Sequence, residues 1–231
     1  MNKWRAFGLK EHDLMTRSIL SGMLGLISVL AVGVLPTACQ SGGVGDPCVP
    51  EDEYNTDFAG FKVTEENIES RSFQCQTRIC LVNHFQGRVS CPYGQAKPVD
   101  ASQPATECQQ PGSPEADKDK PCCVPGTNEV IDAEVCGQCA DTSKRDAEQA
   151  VYCSCRCDVA DGEPPDPNFN FCECPNGYTC SQIRPNVGLG DKQLTGKYCI
   201  KKDTEFTTEG TCSTVQGHFN ASQCKGVGFA Q

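Results

Sequence analysis

The longest apolar segment of the chain covers residues 18–35 and contains no charged side chain. A basic lead precedes it, and Pro36 and the small pair Thr37-Ala38 follow it. A basic lead, an apolar core and small residues at a cut site form the pattern of a secretory signal. The segment is close to the ~18-residue minimum for a spanning helix, so an uncleaved anchor is an alternative interpretation. Because Pro36 ends the helix beside the small residues, we predict a signal helix within residues 1–38 that is cleaved off.

Beyond this segment, apolar residues occur in short runs that are typical of β-strands. Residues 79–82 and 88–91 flank the polar, glycine-ended residues 83–87, which predicts a hairpin. Over residues 151–159, apolar and polar side chains alternate. A strand with this period places its three cysteines on one face and leaves the other face in water. These cysteines are Cys153, Cys155 and Cys157.

Helix signals are rare in the same part of the chain. One short helix is predicted over residues 143–149, with Ser143 as its cap and Asp146 at the reciprocal position. Glycine (22) and proline (15) are plentiful and aromatic residues make up 7%, so a large apolar core is not expected. We therefore predict a small disulfide-rich fold of mainly short β-strands and loops with little helix, beside the N-terminal signal helix.

Disulfides can provide the stability that a small apolar core does not. The chain has 19 cysteines, and without Cys39 an even number remains, as full pairing requires. Disulfides persist in the oxidising compartments that exported proteins enter. Each bridge typically contributes ~2–4 kcal/mol, chiefly by restricting the unfolded chain. We predict that all of the remaining cysteines are bridged, in a pairing that the sequence leaves open.

Composition and cysteine spacing divide the exported chain into five segments. These are a flexible Gly-rich tether (39–46), a first cysteine module (47–93), a Pro-, Gln- and Ser-rich linker (94–121), a dense cysteine module (122–200) and a C-terminal tail with one disulfide (201–231). When Cys108 of the linker is counted with the dense module, the first module, the dense module and the tail each hold an even number of cysteines. Each of them is therefore able to close on itself.

Cys39 stands where the apolar segment meets the polar chain. The run Leu35-Pro36-Thr37-Ala38-Cys39 resembles the lipobox of bacterial lipoproteins, with Pro36 at the position where that family usually has leucine. The resemblance implies that Cys39 is the first mature residue, with a diacylglycerol on its thiol and a further acyl chain, such as palmitate, on its amine. Two or more chains hold a protein firmly on a membrane. Gln40 replaces the aspartate that retains family members at the inner membrane, which implies the outer membrane. The alternative is an ordinary secreted protein cleaved nearby.

Cys136-Gly137-Gln138-Cys139 is the sharpest chemical motif. Two thiolates at this spacing can coordinate one zinc ion, and the same spacing is used in thiol–disulfide exchange. A zinc site needs a second pair, which either 153/155 or 172/174 would supply at a less suitable spacing. Since the chain is cysteine-dense and exported, structural disulfides are the preferred interpretation, with metal binding and redox chemistry as alternatives.

Three further motifs carry weaker chemical signals. Residues 172–180 resemble the end of an EGF-like module, and the preferred interpretation is a Pro-Asn-Gly turn held by bridges. An acidic loop either binds calcium through its carboxylates or is simply exposed to water, and exposure to water is the preferred interpretation. A Cys80/His84 nucleophile pair is conceivable only if Cys80 is free. The acidic loop contains Asp158, Asp161, Glu163 and Asp166.

Charge and missing motifs narrow the function. Residues 1–38 hold four basic and two acidic residues, so removing them changes the formal charge from -10 to about -12, which disfavours nucleic acid as a partner. The chain has no Gly-x-Ser-x-Gly elbow, phosphate loop or His-Glu-x-x-His run, so catalysis and bound cofactors are not expected.

The leader and cysteine density resemble those of cysteine-rich bacterial surface lipoproteins. We expect a non-enzymatic binding or structural protein of the cell envelope, facing the periplasm or the cell surface. Its expected partners are the membrane, which it contacts through its lipid, and a protein or glycan. The alternative is a metal-binding or redox protein that uses Cys136 and Cys139.

Overall fold

Two three-stranded antiparallel sheets form the framework of the part of the chain that the structure describes. The structure is a computed structural model, and it describes residues 42–96, 99–140, 144–165, 167–184 and 194–206, together with residues 212, 215, 216 and 224. The predicted signal helix and Cys39 lie outside these residues. No helix among them is long and apolar enough to cross a bilayer.

The elements are short, as the glycine and proline content suggests. The strands are β1 (Glu66–Glu69), β2 (Ile79–Asn83), β3 (Val151–Ser154), β4 (Arg156–Asp158), β5 (Tyr178–Arg184) and β6 (Gly196–Lys201). One α-helix, α1 (Ala147–Ala150), and two 3-10 helices (Glu51–Tyr54 and Glu115–Asp117) complete the described elements. Nine disulfides join the described cysteines. The prediction of a small disulfide-rich fold of short strands with little helix is confirmed.

The first sheet has the order β1-β2-β3, so β2 lies between two partners. Cys80 of β2 faces Cys153 of β3, and Ile68 of β1 faces Leu81 of β2. The predicted hairpin between residues 79–82 and 88–91 is therefore wrong. Both edges of β2 are already paired, and residues 88–90 instead bind the carboxylate of Glu53.

The second sheet has the order β4-β6-β5 and packs against the first sheet through buried tyrosines. Tyr152 and Tyr198 are fully buried in a cluster that also contains Leu81 and Ile200. The Tyr152 hydroxyl accepts a hydrogen bond from the backbone N–H of Lys201 at 3.0 Å. Burial raises the pKa of Tyr152 to about 12, because the phenolate would be poorly solvated there.

The single strand predicted over residues 151–159 is divided between the two sheets. It breaks at Cys155, so β3 belongs to the first sheet and β4 to the second. The face predicted to be in water is also buried: Tyr152 and Ser154 have no exposed surface, and the Ser154 hydroxyl donates to the carbonyl of Cys199 at 2.9 Å. A chain that crosses from one sheet to the other is covered on both faces, which a period of two does not reveal.

The short helix is present, but its cap differs from the prediction. Asp146, and not Ser143, is the N-cap of α1, and its side chain accepts a hydrogen bond from the backbone N–H of Gln149. Aspartate is a strong N-cap because its carboxylate satisfies a backbone donor at the start of the helix. Ser143 lies outside the described residues.

The segment predicted to be a flexible tether is held against the first sheet from Gly42 onwards. Gly45 donates its backbone N–H to the carbonyl of Cys153 at 2.8 Å, and Cys153 donates back to Asp46 at 2.8 Å. Gly45 has a φ of 98°, and a Cβ there would collide with the Tyr178 hydroxyl. Glycine at this position thus serves close packing rather than flexibility.

The segment predicted to be a linker is fixed by one buried amide. Gln109 is 1% exposed, and its Nε2 donates to the carbonyls of Gly94 at 2.8 Å and Lys120 at 2.9 Å. Its Oε1 accepts from the backbone N–H of Tyr93 at 2.9 Å. The Cys108–Cys123 bridge adds a covalent link. The polar composition of residues 94–121 therefore does not indicate a flexible linker between domains.

The bridges cross the boundaries that the cysteine counts suggested. Two of them join the first module to the dense module, and both cysteines of the tail bond to the dense module rather than to each other. The crossing pairs are Cys75–Cys153, Cys91–Cys122, Cys136–Cys224 and Cys139–Cys212. The first sheet also joins the two modules, because β2 and β3 come from different modules and pair with each other. Residues 41–231 accordingly form one unit by their contacts.

Candidate functional site

A cleft of about 520 Å³ is lined in part by residues of four segments. These are the predicted tether (39–46), the predicted linker (94–121), α1 with its N-cap, and the tail (201–231). Its walls are largely rings and aliphatic side chains, which suits a binding site with a few polar groups. Three prolines and two valines supply the apolar lining: Pro47, Pro92, Pro111, Val89 and Val151.

Charged groups lie to one side of the cleft, at α1 and β6. Asp146 and Glu148 come from the first turn of α1, and Lys201 comes from the end of β6. The Lys201 ammonium donates to the backbone carbonyl of Glu148 at 2.9 Å, which connects the second sheet to the helix. The exposed Glu148 side chain gives this rim an acidic group that a ligand can reach.

Another part of the cleft lining depends on the Cys-Gly-Gln-Cys motif. Gln138 lines the cleft and accepts a backbone hydrogen bond from Gln216 of the tail at 2.8 Å. Gly137 allows this approach, because a Cβ there would overlap the Gln216 carbonyl oxygen. The motif thus docks the tail, and its two cysteines bond to Cys224 and Cys212.

A buried ion pair holds the backbone of Val89, which lines the cleft. The Glu53 carboxylate accepts from the backbone N–H of Val89 at 2.5 Å, and from the backbone N–H and hydroxyl of Ser90 at 3.0 and 2.6 Å. Arg88 lies 4.0 Å from it and donates to the carbonyls of Glu53 and Phe58. Both charged side chains are fully buried.

Burial dominates the electrostatics of this pair. It raises the pKa of Glu53 above its usual range, although hydrogen bonds from Ser90 and Val89 and the charge of Arg88 act in the opposite direction. It also lowers the pKa of Arg88, since the guanidinium loses its water. Nothing in the sequence marks Glu53 as buried, because it stands in the acidic run Glu51-Asp52-Glu53.

Several sulfur atoms are close enough to resemble metal ligand sets. Three sets of three cysteines each have their sulfur atoms within 4.8 Å: Cys48/Cys75/Cys153, Cys155/Cys172/Cys199 and Cys157/Cys174/Cys199. Every one of these cysteines is in a disulfide, whereas metal binding uses the thiolate. Cys136 and Cys139, the predicted ligand pair, belong to none of the sets among the described residues.

The other candidate groups make structural contacts. Cys80 is bonded to Cys48, so it is no nucleophile, and His84 stacks on Phe206 with ring centroids 3.6 Å apart. Of the acidic loop, Asp158 and Asp161 lie 3.6 and 2.8 Å from the Lys197 ammonium; Asp166 lies outside the described residues. Residues 175–178 form the preferred Pro-Asn-Gly turn, closed by a 3.1 Å hydrogen bond.

Comparison with protein-family models, with curated proteins and with solved structures found no match. Nine disulfides fit an oxidising, extracytoplasmic location for the folded part of the chain.

Proposed function

We propose that this chain is a lipoprotein anchored through Cys39, with a non-enzymatic role in which the disulfide-bridged body presents the cleft to a partner in the cell envelope. The observation that carries the proposal is the cleft itself, since covalent bridges fix the segments beside it. The Cys91–Cys122 and Cys139–Cys212 bridges flank Pro92 and Gln138 of the lining. A preformed site loses less conformational entropy when a partner binds.

The anchor is tested on the purified mature protein. We expect it to partition into detergent and to carry acyl chains on its N-terminal residue by mass spectrometry. Cys39→Ser should block the modification and leave the protein in the aqueous phase. An N-terminus that carries no lipid would contradict the anchor.

The cleft is tested with a charge reversal at its rim. Immobilised protein should retain a protein or glycan from envelope extracts, and Glu148→Lys should reduce that retention at least tenfold. Glu129→Lys is the matched control, because Glu129 is also exposed and does not line the cleft. Equal retention by both variants would place binding elsewhere.

The same protein preparation tests the metal and redox alternative. Alkylation of the unfolded, unreduced protein should find almost no free thiol. Four free thiols with stoichiometric zinc, or a disulfide-reductase activity lost in the Cys136→Ser/Cys139→Ser double variant, would favour the alternative.

A further inference from the structure

The loop of residues 70–78 is tied to the chain immediately after the proposed lipid. Gly42 donates its backbone N–H to the carbonyl of Gln74 at 2.7 Å and accepts from the backbone N–H of Gln76 at 2.9 Å. Cys75, between these two partners, is bonded to Cys153 of β3. Gly42 is three residues from Cys39, and three residues span about 10 Å at most. A lipid on Cys39 therefore holds this loop close to the membrane surface.

The loop presents one apolar and two basic side chains to solvent. Phe73 is 82% exposed, the largest exposure of any large apolar side chain in the described residues. The Arg78 guanidinium lies 4.4 Å from the centre of the Phe73 ring, and Arg71 is also exposed. We name these three residues the Phe73 patch. A single exposed phenylalanine is ordinary on a soluble protein, so the position of the patch is what matters.

The patch is basic in an otherwise acidic protein. The chain has 30 acidic residues and a net charge of -10, yet residues 70–99 contain no aspartate or glutamate. Within the described residues, no carboxylate forms an ion pair with Arg71 or Arg78. Both guanidinium groups are therefore available to phosphate groups, with which arginine forms short, charge-assisted hydrogen bonds.

We propose that the Phe73 patch is a second membrane contact, which lies in the headgroup region of an anionic bilayer. This proposal rests on the lipidation of Cys39 proposed above. The Phe73 ring inserts at the boundary between headgroups and acyl chains, and the two arginines pair with lipid phosphates. The lipid supplies the attachment, and the patch sets which side of the body faces the bilayer.

A single tryptophan placed in the patch tests the contact. The only tryptophan, Trp4, lies in the leader, so Phe73→Trp in the mature protein creates a unique fluorescent probe. The lipidated variant is incorporated into vesicles of phosphatidylcholine and phosphatidylglycerol whose acyl chains carry bromine. We expect a blue-shifted emission that bromine quenches at least twofold. Tyr54→Trp is the control, because Tyr54 is 49% exposed and lies outside the patch, and its emission should be unquenched.

The arginines are tested in the same assay. Arg71→Gln with Arg78→Gln should reduce the quenching of the tryptophan at position 73 by more than half, as should vesicles of phosphatidylcholine alone. Flotation with the vesicles reports the lipid anchor independently. A protein that floats but shows equal, unquenched emission at positions 73 and 54 overturns the patch and leaves the anchor standing. A protein that does not float overturns both, since the patch then has nothing to orient it.

Discussion

At the scale of single residues, the burial of Glu53 and Arg88 is the least expected feature. A charged pair in the interior is tolerated only when its remaining donors and acceptors are satisfied. The Glu53 carboxylate receives three hydrogen bonds from Val89 and Ser90, and Arg88 donates to the carbonyls of Glu53 and Phe58, while its Nε has no hydrogen-bond partner among the described residues. The pair thereby joins the start of the first module to Val89 of the cleft lining.

Replacing the carboxylate tests this connection. Glu53→Gln should lower the free energy of unfolding by about 2 kcal/mol, because it turns an amide N–H₂ towards the backbone donors of Val89 and Ser90 and leaves one of them without an acceptor. Glu51→Gln, in the same 3-10 helix but exposed, should change it by less than ~0.5 kcal/mol. Denaturant unfolding of both variants measures the difference, and equal stabilities would show that the pair is dispensable.

The pH dependence of the same variant follows from the raised pKa of Glu53. The folded state then holds a proton on Glu53 at a pH where the unfolded state has lost it. This contribution to stability is fully present below the ordinary glutamate pKa and is lost as pH rises through the folded pKa. Glu53→Gln lacks it, so the stability gap between wild type and variant should narrow as pH rises above the ordinary pKa of glutamate. A gap that widens with pH would mean that Arg88 outweighs burial and lowers the pKa instead.

At the scale of elements, glycines decide how neighbouring segments meet. Gly45 lets the former tether lie against Tyr178, and Gly137 lets the tail lie against the Cys-Gly-Gln-Cys motif. The sequence indicated a flexible Gly-rich tether around Gly45 and a disulfide, metal or redox motif around Gly137. It did not show that these glycines are contact points, because the atoms that exclude a Cβ come from residues 133 and 79 positions away.

Adding one methyl group at position 137 should displace the tail. Gly137→Ala places its Cβ into the Gln216 carbonyl and breaks the 2.8 Å hydrogen bond between Gln216 and Gln138. Overpacking of this kind typically costs about 1–3 kcal/mol. We expect faster proteolysis of the tail and a lower midpoint of thermal unfolding. Gly43→Ala is the control, because the nearest atom to its Cβ is 3.9 Å away; a similar loss in both variants would point to a general glycine effect.

At the scale of the whole molecule, the crossing bridges make the modules interdependent. Cys75–Cys153 closes a separation of 78 residues and Cys136–Cys224 one of 88 residues. Long loops closed by a bridge remove more freedom from the unfolded chain than short ones in the chain-entropy account. Apolar packing is distributed over several small clusters, so it cannot replace these links.

Reduction should therefore unfold both modules together at ambient temperature. Hydrogen exchange should show that β2 and β3 lose protection at the same concentration of reductant, since they pair in one sheet and the Cys75–Cys153 bridge ties β3 to the loop just before β2. A digest of the unreduced protein should contain a peptide with Cys75 linked to Cys153. Residues 47–93 that keep their protection after complete reduction would instead support independent modules.

The sequence by itself determined the class of the protein. An even number of cysteines after Cys39, plentiful glycine and proline and short apolar runs are local properties, and they sufficed to predict a bridged fold of short strands. Near the cleft, the sequence pointed only to Cys136 and Cys139, because of their spacing. Their alternatives, zinc or redox exchange, followed from the same spacing, so local pattern could not separate them.

Tertiary structure alone decided the pairing of cysteines, the partners of β2, the placement of residues 42–46 and the burial of Glu53. Each of these depends on groups far away in the chain: Cys153 for Cys75, β3 for β2, and Ser90 for Glu53. A period of two says which side chains share a face, but not whether a second sheet covers the other face. The physical reason is that burial and pairing are properties of the packed molecule, and they arise only when distant segments exclude water from one another.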